Sequence, residues 1–408
     1  METQTQNQTQ YLKVLTFKDL LWSGLSSMIG VGIFVILTDV TRYSKNYAWI
    51  SMLLAGISVL FTTFSYAELA SIYNSNTTEY SYIKEVTNDK FALLSYFFIS
   101  ISDLLVLATI ALGFGNYVGS IINQSSILIA VVSLIFFNII NFLGIKTSVA
   151  FSQKALMIKL FALGLIIFMG LFRCNSLNLV EPQVQVTPII NGSMYALFAY
   201  IGFQYIINLS EESIHPETDI PKAMLYGVGI TTIIYTLVTI VSLMCIGSNA
   251  LSLSNVPLAN VCSELFGQHG SMFLKVLAIV ALADTLLMSS VSQSRSFHGI
   301  FEKIIPNFTQ TDLHQKYKTP HISIIILTVL TILLVCCLQS VSQTAIYGDI
   351  IALVTFLGVN IIAIIMRYKS PDVKRGFTIP FNIGKMPIIS VCGALTSLYA
   401  LYVYSTNL

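Results

Sequence analysis

The chain has 408 residues, of which 55% are hydrophobic and only 10% charged, with a formal net charge of +2 and a mean hydropathy of +0.78. A soluble domain carries about 25% charged residues, so this composition specifies a polytopic, all-α membrane protein. The small net charge and the lack of a long basic run exclude nucleic acid as a partner.

Met1 to Gln10 is polar, rich in Gln and Thr, and without the basic region and cleavage site of a signal peptide. Residues 1–16 read as a short cytosolic tail, and 17–408 as a single transmembrane domain. A helical span needs roughly 20 apolar residues. Hydrophobic runs between polar breaks predict eleven spans: 18–39, 47–73, 92–119, 126–143, 152–173, 192–211, 223–247, 271–295, 321–339, 346–367 and 387–405. With the N-terminus inside, 17 of the 21 Lys and Arg residues fall in inner loops or inner halves of spans; only Arg42, Lys45, Arg173 and Lys275 fall outside. That bias sets a cytoplasmic N-terminus, and the cell membrane is the expected location. The break at 248–270 is long enough for a surface helix or lid. Cys174 and Cys262 both lie in loops assigned to the outside, where a disulfide is chemically allowed but not specified by spacing.

Two spans carry internal glycines. Span 1 reads Ser27-Met-Ile-Gly-Val-Gly-Ile-Phe34, and span 6 reads Phe198-Ala-Tyr-Ile-Gly-Phe203. Glycine weakens a helix, and freed backbone groups are tolerated in hydrocarbon only beside protein or a water-filled cavity. Interrupted helices at matching positions in two halves of a chain point to a transporter's binding site. Gly30 and Gly32 read either as a break whose amides bind a carboxylate or as a small-residue helix contact. Phe198 and Tyr200 read either as a gate over a ligand or as packing.

Asp103 (span 3), Lys159 (span 5) and Asp284 (span 8) are ionisable residues well inside spans. Each costs about 2.5–3.5 kcal/mol at a helix centre, so each faces a partner or a polar pathway. Lys159 has two readings: a lysine that releases and regains a proton, or one that stays charged and holds helices together. Asp39 and Asp349 near outer ends, and Glu211 and Glu212 near an inner end, read as solvated or capping residues. Gly115 and Gly119 read as a helix-packing pair. No nucleophile triad, phosphate loop or metal spacing appears, which leaves neither an enzyme nor a cofactor to expect.

At these residues the chain resembles the amino acid–polyamine–organocation family, from Leu15 to about Leu401. The resemblance is carried by Met28-Ile-Gly-Val-Gly-Ile-Phe34 and by Tyr66-Ala-Glu-Leu-Ala70 followed by Glu79-Tyr-Ser-Tyr-Ile-Lys-Glu85. It continues through Asn141-Phe-Leu-Gly-Ile-Lys146, Lys159, and Phe198-Ala-Tyr-Ile-Gly-Phe203 with Glu211-Glu212 and Asp219-Ile-Pro-Lys-Ala223. Thr77-Thr78 replaces the family's glycine pair, and the basic-acidic stretch after span 8 is reduced to Arg295 and Phe301-Glu-Lys303. The resemblance implies a LeuT-type inverted repeat, with a first repeat at about 17–173, a second at about 192–367 and one further span at 387–405. It implies an amino acid substrate bound by Ile29, Gly30, Val31 and Gly32 through its carboxylate, and by Phe198, Ala199, Tyr200 and Gly202 through its ammonium. Asp103 and Asp284 then favour a cationic side chain such as arginine, lysine or ornithine, with large neutral amino acids or polyamines as alternatives. A transport-inactive sensor would keep the same fold. Coupling is expected through Lys159 to protons, or by simple exchange, and not to sodium.

Overall fold

A computed structural model describes residues 11–30, 32–174, 186–254, 256–305, 308 and 312–407. The tail 1–10 and Val31 lie outside the described residues. The chain is all-α apart from a two-residue hairpin, β1 (Asn382–Ile383) with β2 (Met386–Pro387).

Span 1 is broken. Helix α1 (Phe17–Met28) starts in a capping box, in which the Thr16 hydroxyl accepts from the Asp19 amide and the Asp19 carboxylate accepts from the Thr16 amide. It stops at Ile29, whose ψ of 87° leaves the helix. A wide π turn (Gly32–Ile36) then leads into α2 (Leu37–Ser44). Two glycines in three residues each cost about 1 kcal/mol of helix propensity, and α1 ends just before the first of them. Span 6 is broken too. Helix α8 (Val186–Ala196) passes into a tight 3-10 turn (Leu197–Tyr200), the chain bends at Ile201–Gly202, and a longer 3-10 segment (Phe203–Glu212) follows.

The remaining spans are continuous apart from one interrupted at Gly247: α3 (Ala48–Ala70), α5 (Asp89–Ile122), α6 (Ser126–Phe142) and α7 (Ile145–Arg173). In the second half they are α9 (Pro216–Ser252), α11 (Gln268–Ile304), α12 (His321–Leu338), α13 (Val341–Lys369) and α14 (Ile388–Asn407). Two short helices lie between spans, α4 (Thr78–Val86) and α10 (Pro257–Phe266), the latter inside the stretch read as a lid. Among the described residues, nine helices are long and apolar enough to cross a bilayer, with Leu37–Ala70 taken as one, and Ser126–Phe142 is a shorter apolar helix. The first span falls short of that length because its own break divides it.

Helix α1 packs on α7, α9, α11 and the second half of span 6. Leu15 pairs in parallel with Ser213, so the segment before α1 is tied to the end of span 6. These ends share one face with α4, with the α6–α7 turn and with Lys369, which bonds the Glu85 carbonyl. Lys18, Lys84, Lys146 and Lys316 also lie at or near it, and it is called the basic face below.

Several details depart from the sequence reading. Cys174 is joined to Cys245, 71 residues on, while Cys262 is a buried free thiol. Gly247 takes φ +73° and interrupts α9 just after Cys245. Glu212 and Asp349 are not solvated: each is 1% exposed. Gly115 does pack, with the α6 backbone at Ser126 against it.

Candidate functional site at the two helix breaks

The two breaks touch. A Cβ on Gly32 would come within 2.6 Å of Ala199 Cα and 2.7 Å of the Ala199 carbonyl oxygen. Gly202 sits at φ +122°, against the Ser27 backbone, where a Cβ would meet the Ser27 carbonyl at 3.0 Å. Only glycine allows this approach, at Gly32 for lack of space and at Gly202 also for its backbone angle. Backbone of span 1 thus lies directly on backbone of span 6.

A broken helix leaves carbonyls without intrahelical donors, and side chains from three other spans supply them. The Lys159 ammonium donates to the carbonyls of Ser26 (3.1 Å) and Ile29 (2.8 Å). The Thr285 hydroxyl lies 2.9 and 3.2 Å from the same two oxygens. The Tyr235 hydroxyl donates to Met28 O at 2.7 Å and faces the Gly30 amide. Beyond the break, the Tyr117 hydroxyl donates to Phe34 O at 3.0 Å. In span 6, Phe198 O accepts from the Ile201 amide at 3.1 Å.

Lys159 and Asp284 form an ion pair at 2.7 Å, both fully buried. The sequence grouped Asp284 with the ligand cavity, whereas the structure sets its carboxylate against Lys159. Lys159 therefore fills a pocket made of one carboxylate and two carbonyls, an oxygen cage of the kind a small cation would take.

Asp103 is elsewhere. It lines a separate cavity of about 20 Å³ with Glu79, Tyr66, Gln204, Tyr205 and Asn208, against the second half of span 6. The two aspartates are not brought together.

Phe198 borders a vestibule on the face opposite the basic one. Its two lobes measure about 420 and 620 Å³ and share Asp39, Arg42, Val341 and Ser342. Tyr43 stacks on Tyr195 there, and Tyr404 bonds Asp349 just behind. Tyr200, the other gate candidate, turns away, and its hydroxyl donates to Met52 O on α3 at 2.8 Å.

Toward the basic face the molecule is sealed. Arg295 pairs with Glu212 through two 3.3 Å contacts and donates to Asn141 Oδ1 at 2.7 Å, and all of this is buried. Arg367 and Arg375 both hold Glu68. The Val14 and Leu15 amides donate to Glu212 O at 2.9 Å, so the N-terminal segment closes over the same carboxylate's residue.

Sequence reasoning missed Thr285, Tyr235 and Glu79, and read Glu212 as solvated. Hydroxyls are common in apolar helices, and nothing in their spacing marks those that meet a carbonyl from another span.

Comparison with known proteins agrees with this geometry. A sequence profile described as amino acid permease matches residues 15–408. The methylthioribose transporter of Bacillus subtilis is 24% identical, across 95% of this chain and 88% of its own. The serine/threonine exchanger SteT of the same organism is 25% identical, across 91% and 86%. Cationic amino acid transporter 3 of Arabidopsis thaliana is 24% identical, across 89% and 63%. With two broken spans whose backbones meet at Gly32 on Ala199 and Gly202 on Ser27, and a profile that covers residues 15–408, the chain belongs to the amino acid permeases of the amino acid–polyamine–organocation family.

Proposed function

We propose that this chain carries α-amino acids across the cell membrane by alternating access, as a proton symporter or exchanger, with the basic face in the cytoplasm. The observation that carries the proposal is the contact between the two breaks, at Gly32 on Ala199 and Gly202 on Ser27. The substrate carboxylate rests on the amides of the Ile29–Gly32 segment, at the start of the second half of span 1. Its ammonium rests on carbonyls of the Phe198–Tyr200 turn, with Gly202 giving the turn its bend. Phe198, on the vestibule wall, is the gate. Spans 1–5 and 6–10 act as two inverted repeats, which rock against each other around this point.

Neutral amino acids fit better than cationic ones. A cationic side chain needs an unengaged carboxylate, and Asp284 is already engaged by Lys159. The 20 Å³ beside Asp103 holds about one water, not a guanidinium. Sodium is disfavoured because the Lys159 ammonium already fills the oxygen cage at the break.

The test is exchange of radiolabelled amino acids in proteoliposomes. Saturable exchange of neutral L-amino acids is expected, with loss of competition when either the carboxylate or the amine is blocked. If lysine or arginine alone exchanges, the neutral reading fails. If amino acids raise the melting temperature yet none is exchanged, the chain is a sensor and the carrier reading fails.

A further inference from the structure

Among the described residues, seven acids are buried to 6% exposure or less: Glu68, Glu79, Asp103, Glu212, Asp284, Asp312 and Asp349. Four have a basic partner. Glu68 has two arginines, Glu212 has Arg295, Asp284 has Lys159, and Asp312 has His298 with two backbone amides. Asp349 has only the Tyr404 hydroxyl. Glu79 and Asp103 also lack a cation, and they alone face the same cavity.

The tyrosines around that cavity are the groups that face the pair. Tyr66 on α3 donates to Glu79 Oε1 at 2.8 Å. Tyr82 on α4 and Tyr96 on α5 lie near Glu79, and Tyr205 on span 6 faces Asp103. The Tyr205 oxygen is held by Gln293 of α11 at 3.1 Å, which leaves its own proton free to point at Asp103. From α13 the wall is Ala352, Thr355 and Phe356, none ionisable. Asp103, more than nine-tenths buried, thus turns into the cavity with no cation and no backbone amide beside it. Two adjacent carboxylates in such a place cannot both ionise, and the pair retains a proton. The cavity, about 20 Å³, matches one water that would link them.

We infer that Glu79 and Asp103 are the carrier's proton site: the two carboxylates share one proton, which crosses the membrane with the amino acid. The inference rests on the carrier reading above and names its coupling ion. Four walls of the site belong to α3, α4, α5 and α13, and the fifth is the second half of span 6. Movement of that half toward the cytoplasm separates Tyr205 and Gln204 from the pair, admits water, and lets the proton leave as hydronium, with both groups then carboxylates. Lys159 is not the proton site in this scheme, because its Nζ is already engaged by Asp284 and by two carbonyls of the break. Burial also pushes the Glu79 carboxyl up to about 7, with the Tyr66 hydroxyl opposing, which suits a group that exchanges its proton at neutral pH.

The experiment compares wild type with Glu79→Gln in proteoliposomes. Wild type should accumulate amino acid against its gradient when the outside is acidic, with one proton entering per amino acid and no change when choline replaces sodium. Glu79→Gln should lose that accumulation at least tenfold, yet exchange amino acid at equal pH within about twofold of wild type. Accumulation that follows sodium, or that survives in the variant, overturns the inference. So does equal loss of exchange and accumulation in a variant that still melts like wild type. Infrared difference spectra supply a test independent of transport: a protonated carboxyl band at neutral pH that shifts or loses intensity in both Glu79→Gln and Asp103→Asn, whereas a band identical in wild type and both variants overturns the inference. Its absence from wild type also overturns the inference. If wild type exchanges nothing but shows the band, the carrier reading fails and proton co-transport falls with it, while the protonated pair itself remains.

Discussion

The Lys159–Asp284 pair offers the sharpest perturbation of the break. Replacing Asp284 with Asn keeps the shape and removes the charge. The Lys159 ammonium then stays buried with two carbonyls and an amide oxygen in place of a carboxylate. Removing one partner of a buried pair costs about 3–5 kcal/mol, because an uncompensated charge is left. The remaining oxygens put Asp284→Asn near the lower end, roughly 3 kcal/mol. The double variant Lys159→Met with Asp284→Leu has no buried charge, and such replacements are often neutral or stabilising. It strips a donor from Ser26 O and Ile29 O, however. Thr285 has one hydroxyl proton for both oxygens, which costs about 1–3 kcal/mol for the carbonyl left unpaired. Melting in detergent should therefore fall for Asp284→Asn and largely recover in the double variant. Amino acid exchange in vesicles should fall at least tenfold in both, since the end of α1 is no longer pinned. If Asp284→Asn melts and exchanges like wild type, the pair does not hold the break and the reasoning is wrong.

Other outcomes follow from single contacts. Gly32→Ala should abolish exchange, because its Cβ would strike the Ala199 backbone at 2.6 Å, whereas Gly229→Ala, with nothing within 4 Å, should exchange and melt like wild type. Maleimide should label four of the six thiols in unfolded, unreduced protein and all six after reduction, since Cys174 and Cys245 are bonded. Stability should depend on pH through Glu79. Its folded carboxyl sits near 7, above the ordinary 4.5, so folding takes up a proton and its contribution is complete below about 4.5. That contribution, roughly 3 kcal/mol at most, is lost as pH rises through about 7. Wild type should melt lower at pH 8 than at pH 5, and Glu79→Gln should reduce the difference.

Much of the fold is written in local pattern. Apolar runs located the spans, and the paired glycines located the interruptions, because both signals reside in a few adjacent residues. Helix ends were less legible. Span 8 was read as ending at 295, yet α11 runs to Ile304. Its serines at 289, 290, 292, 294 and 296 are polar but buried, and three of them meet Tyr205, Asn208, Asn141 and Tyr96 from other helices. A run of serines looks like a membrane exit unless those partners are known. Pairings across the chain were not legible at all. Glu212 and Arg295 are 83 residues apart, and Cys245 looked like span interior until Gly247 was seen to interrupt its helix. Lys159 was found because one lysine in an apolar run is conspicuous, but nothing local says that Asp284 is its partner.

The two faces of the molecule are closed by different physics, and the difference bears on how it cycles. Opposite the basic face, the vestibule ends at Phe198 and at aromatic contacts such as Tyr43 on Tyr195. Opening further there exposes apolar surface, which costs about 25 cal/mol per Å². On the basic face the seal is made of paired charge: Arg295 with Glu212, both buried, and the half-buried Arg367 and Arg375 with the buried Glu68. A buried pair gains in attraction roughly what it loses in hydration, so water entering between the partners replaces the seal at small net cost. Breaking one partner by mutation is expensive, while parting both into water is cheap. That asymmetry suits a seal that must hold when closed and release once per cycle. The parallel bridge between Leu15 and Ser213 adds the mechanical link, since the start of span 1 and the end of span 6 are joined by backbone bonds. On the alternating-access proposal, a swing of either half away from the basic face draws on the other through these bonds.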